Sequence, residues 1–138
     1  MFEWTMHYLN YRNLLALIIS VTICTPLAQA DELDDQTKAQ MYTLSVLFSP
    51  VTQFCDQNTN TSDKRYSSSL KKWAKINAKE LEQGQLVANK MLASIEQDED
   101  SFYQPQIDEL LQEMAKQSTS DLILNCDRLK ARFELANK

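Results

Sequence analysis

Lysines set four apart are the first residues in this chain whose spacing has chemical consequences. Lys71, Lys75 and Lys79 recur at i, i+4 and i+8, with Lys72, Lys64 and Arg65 close by. On a helix that spacing makes one cationic strip. It lies away from a second line, Leu70, Trp73 and Asn77, which reads as a core stripe with Asn77 satisfying a neighbouring backbone group or fixing helix register. A row of ammonium groups draws carboxylates and other anions and speeds their association. Two readings stand side by side. Lys71, Lys72, Lys75 and Lys79 form a binding face for an acidic protein surface, an anionic lipid or a cell-wall polymer. Alternatively, they are a solvated face balanced by the acidic stretch 93–113, which carries seven carboxylates and no basic residue.

Catalytic chemistry finds little to work with. His7 is the only histidine, and nucleophile systems that need an imidazole base depend on it. There is no His-Glu-x-x-His pair, no phosphate-binding loop and no glycine-rich dinucleotide fingerprint. Asp98, Asp100 and Glu109 fall on positions 1, 3 and 12 of a calcium loop. Phe102 and Tyr103 occupy the positions where that loop needs a ligand and a glycine. The segment therefore reads as a polar connection between helices. No enzymatic activity, metal or cofactor is expected.

The N-terminal residues read as an address label. Arg12 precedes the apolar run Leu14 to Ile23, and Pro26 leads to Ala28-Gln29-Ala30 before acidic Asp31. This is the order of a secretory signal peptide, with residues 1–30 removed after Ala30. A permanent span would need about 20 apolar residues, and bulky Ile23 before Cys24 argues against a lipoprotein. Translation starts at Met1 or Met6. Cleavage takes His7, Cys24 and Trp4 with it and leaves residues 31–138 as a single helical domain. That mature chain holds 13 basic and 18 acidic side chains. It is expected to be soluble in the periplasm, without an integral membrane segment and without a nucleic-acid partner. Its two remaining cysteines, Cys55 and Cys126, permit one intramolecular disulfide, as export favours.

The elements that must position these residues follow from apolar spacing. One glycine and two prolines in the mature chain are too few punctuators for a turn-rich β protein. Met41, Leu44, Phe48, Val51 and Cys55 share one helix face, with Pro50 predicting two pieces or a kink. Leu70, Trp73, Asn77, Leu81, Gly84, Ala88, Met91 and Ile95 predict one long helix over 63–97, capped by Thr61 or Ser62 and ended by Asp98-Glu99-Asp100. A third helix begins near Pro105 with Ile107, Leu110, Leu111 and Met114 inward. A fourth, capped by Ser120, carries Leu122, Cys126, Leu129, Phe133 and Ala136. The expected fold is all-α: an antiparallel four-helix bundle stapled by Cys55–Cys126 between its first and last helices.

The stretch Phe54-Cys55, Tyr66, Leu70-x-x-Trp73-x-x-x-Asn77 resembles a pattern in small exported proteobacterial helical proteins of unassigned function. Those proteins carry an arginine before the asparagine, where this chain has Ile76. The build is also similar to that of periplasmic acid-stress chaperones and of immunity proteins. These features give two functional expectations. The first is a periplasmic, non-enzymatic interaction module that binds and inhibits a protein partner. The second is an acid- or envelope-stress chaperone or small-ligand carrier, in which protonated carboxylates at low pH leave the lysine helix strongly positive.

Overall fold

A computed structural model describes residues 33–60 and 63–136. The expected signal peptide, its expected cleavage site at Ala28 and Ala30, Cys24 and the choice between Met1 and Met6 lie outside the described residues, as do the candidate caps Thr61 and Ser62.

Helix α1 spans Asp35–Asn58 and is capped by Asp34, whose carboxylate accepts the Thr37 N–H at 2.7 Å. It runs unbroken through Pro50, where two pieces or a kink were expected. A proline inside a helix costs about 3 kcal/mol. Leu47 before it and Val51 and Cys55 after it are all buried, so continuous packing outweighs that loss.

The long helix expected over 63–97 is two. Helix α2 spans Arg65–Ile76 and α3 spans Ala78–Ser94. Asn77 between them takes φ −102° and ψ 26°. Its side-chain Nδ2 donates to the Trp73 carbonyl at 2.8 Å, an acceptor its own backbone N–H also uses at 3.1 Å. An amide side chain that bonds local backbone in this way competes with helix continuation. The break lets α2 bury Leu70 and Trp73 against Phe133, while α3 turns Gly84, Ala88 and Leu92 inward. Met91 and Ile95, expected in the core, are each 57% exposed. The small residues Gly84 and Ala88 bring the α3 backbone close to α1, and the contact follows that line instead.

Helix α4 spans Glu99–Ala115 and α5 spans Thr119–Leu135. The acidic triplet at 98–100 is the start of α4 and not merely the end of its predecessor. Asp98 caps the helix by accepting the Ser101 N–H at 2.8 Å, and Glu99 and Asp100 fill the first turn, where the helix dipole favours anions. Pro105 sits inside α4. The cap of α5 is Ser118 and not Ser120. The described residues therefore form five α-helices where four were expected, with no strand among them.

Helix α1 touches all four others. Phe48 meets Phe133 with ring centroids 6.1 Å apart, and Cys55 is bonded to Cys126, so α1 and α5 run in opposite directions. Arg65 pairs with Asp127 and Ser69 with Glu134, so α2 and α5 run in the same direction. The Cys55–Cys126 bridge has a Cα–Cα distance of 5.9 Å and lies in a cluster with Val51, Tyr66, Met114 and Leu122. Both sulfur-bearing residues are almost fully buried. No helix among the described residues is long and apolar enough to cross a membrane.

Candidate functional site

The lysines sit on the outer side of α2. Tyr66, Ser67, Leu70 and Trp73 are its buried side, and Trp73 packs on Phe133 at 5.6 Å. Trp73 is thus a core residue and lines no open groove. Lys71, Lys72 and Lys75 are all exposed on the opposite side. Lys79 is exposed too, but it belongs to the first turn of α3, so the strip bends at Asn77 rather than continuing along one straight helix. Ile76 lies at that bend and is 56% exposed. It stands four residues after Lys72 and three before Lys79, which puts an apolar side chain among the ammonium groups.

None of the ion pairs seen among the described residues uses Lys71, Lys72, Lys75 or Lys79. Those pairs are Arg65–Asp127 at 2.8 Å, Lys116–Glu113 at 2.6 Å and Lys130–Glu134 at 2.6 Å. Lys72 contributes to the field at Glu134, whose carboxyl is held below its ordinary range first by the Lys130 hydrogen bond.

The acidic stretch 93–113 has other employment. Glu99 accepts the Tyr42 hydroxyl at 2.8 Å, Asp98 caps α4, Asp108 accepts from Gln104 at 2.8 Å, and Glu113 holds Lys116. Helix α4 packs on α1 and α3, and its Met114 end joins the cluster around Tyr66 on the buried side of α2, opposite the lysines. Asp98, Asp100 and Glu109 form no group fit for a metal ion among the described residues.

Sequence spacing gave no hint of a second constellation, at the start of α2. Arg65 Nη2 donates to the Tyr66 hydroxyl at 2.6 Å and to Asp127 Oδ1 at 2.8 Å. The Tyr66 hydroxyl donates to the same Asp127 oxygen at 2.8 Å. The guanidinium also lies 4.7 Å from the Tyr66 ring centroid. From α1, Asp56 accepts the backbone N–H groups of Tyr66 at 3.0 Å and Ser67 at 3.2 Å. Asp56 thereby does the work of an N-cap, because Lys64 at the cap position has φ 48° and offers no side-chain acceptor. This cluster ties α1, α2 and α5 together beside the disulfide. It holds the lysine helix in place.

Against protein-family models, curated proteins and solved structures, the chain matches none.

Proposed function

We propose that this protein is an exported, non-enzymatic interaction module of the periplasm that binds a protein partner through the lysine face of α2 and the start of α3. A partner whose own working site is acidic would be inhibited by that contact. The observation that carries this reading is the set of exposed lysines, Lys71, Lys72, Lys75 and Lys79, outside every ion pair seen among the described residues. Charged side chains on a partner-facing surface set on-rate and specificity, and a fixed support spares the entropy of ordering them on binding. Here the support is the buried disulfide and the Arg65–Tyr66–Asp127 cluster. In this reading the five helices follow an antiparallel four-helix plan whose second helix is broken at Asn77.

The test is native mass spectrometry of the mature protein recovered without reductant from the envelope of its host. A reproducible added mass of a second protein, lost in the Lys71→Glu/Lys75→Glu variant, is the expected result. A bare chain in repeated preparations, or a second protein retained equally by the variant, would overturn it.

A further inference from the structure

Charge is sorted to the two ends of α3, while apolar side chains are exposed at both ends and, at Leu86, between them. At its start lie Lys71, Lys72, Lys75 and Lys79 around Ile76. At its far end Met91 and Ile95 are one turn apart and 57% exposed each. The exposed carboxylates Glu96, Asp98 and Asp100 follow within five residues of Ile95. Glu80 and Glu82 at the first end, and Lys90 at the second, reduce these charges without reversing either sign.

The two patches are too far apart to satisfy each other. A rise of about 1.5 Å per residue separates the ends of a 17-residue helix by roughly 25 Å. Screening at physiological salt acts within about 8 Å. The positive patch is therefore not neutralised by the negative one in the same molecule. Two molecules set head to tail have no such constraint.

We infer that the lysine-ringed Ile76 face of one copy docks on the Met91–Ile95 face, rimmed by Glu96 and Asp100, of a second copy of this chain. Ile76 covers the two exposed apolar side chains while ammonium groups meet carboxylates around them. The faces differ, so the contact is heterologous: each added copy leaves one free face of each kind, and assembly continues until a ring closes or a filament forms. The inference goes beyond the proposed function and shares one surface with it. A foreign acidic partner and a second copy would then compete for the same lysines.

Sedimentation equilibrium of the purified mature protein tests this without any foreign partner present. Lys71→Gln/Lys75→Gln/Ile76→Ser blanks one face, and Ile95→Ser/Glu96→Gln/Asp100→Asn blanks the other. All of these positions are exposed, and circular dichroism confirms that each variant keeps its helices. The wild-type average mass is expected to rise with concentration at low salt. It should return to that of the monomer when salt shortens the Debye length from about 30 Å to about 3 Å. Each variant alone stays monomeric, and an equal mixture of the two gives a dimer and nothing larger, because each supplies the face the other lacks. A wild-type protein that is monomeric at every concentration, variants that still assemble, or a mixture that stays monomeric would overturn the inference. Any of those results leaves the capture of a foreign partner to be judged by its own experiment.

Discussion

At the scale of single residues, the groups that join helices are those that no sequence spacing connects. Tyr42 donates to Glu99 and accepts from Gln85 at 3.1 Å, bridging α1, α3 and α4. Partial burial, then the Glu99 hydrogen bond and charge, push its phenol up to about 12. The folded state holds this proton more tightly than the unfolded chain, whose tyrosine titrates near 10. The resulting stability is fully present below pH 10 and is lost as pH rises from 10 to about 12. Tyr42→Phe should flatten the fall in melting temperature over that window. It should also remove a step near 12 from a phenolate absorbance titration; an unchanged titration would refute the assignment. Asp56→Ala should cost about 1 kcal/mol, the usual worth of a lost helix cap, and chemical denaturation will measure it. Neither role was legible in the sequence. Asp56 acts across a polar loop ten residues on, and Tyr42 across 57 residues.

At the scale of elements, apolar periodicity revealed the helices, but their breaks were set by other forces. Of the stripe ending in Cys55, Val51 and Cys55 are buried and Met41, Leu44 and Phe48 partly so; of the stripe beginning with Leu122, Leu122, Cys126 and Phe133 are buried, Leu129 partly so and Ala136 exposed. Asn77 keeps the three-four rhythm of its neighbours, so periodicity runs straight through the point where its side chain diverts the backbone. Pro50 and Pro105 misled in the opposite sense, because packing on both sides of each holds the helix together. Gly84 shows how closely α3 meets α1. A Cβ there would overlap the Lys38 carbonyl and come within 3.1 Å of the Tyr42 Cβ. Alanine would gain up to about 1 kcal/mol in helix propensity. Overpacking against backbone costs about 3 kcal/mol, so the clash wins. Gly84→Ala is expected to destabilise the fold by about 2 kcal/mol net in urea titration; a stabilised variant would show that the helices can move apart freely.

At the scale of the whole molecule, one covalent bond spans most of the helical chain. Cys55 and Cys126 are 71 residues apart, and closing a loop of that length removes about 4 kcal/mol of unfolded-state freedom. Cys55→Ser/Cys126→Ser should therefore lower unfolding stability by about 4 kcal/mol, a large share of what a small domain possesses. The pairing was legible because only two cysteines, Cys55 and Cys126, follow residue 30. The lysine face was legible as a strip, yet its freedom from the acidic stretch was not, since that depends on where α4 packs. The central claim is that this face meets a protein partner. The most direct measurement places a photocrosslinking side chain at exposed Ile76 and, as a control, at exposed Leu124 on α5, and irradiates the protein in living cells of its host. An adduct with a foreign protein is expected from position 76 and none from position 124. Adducts from 124 alone, or from neither position, would contradict it.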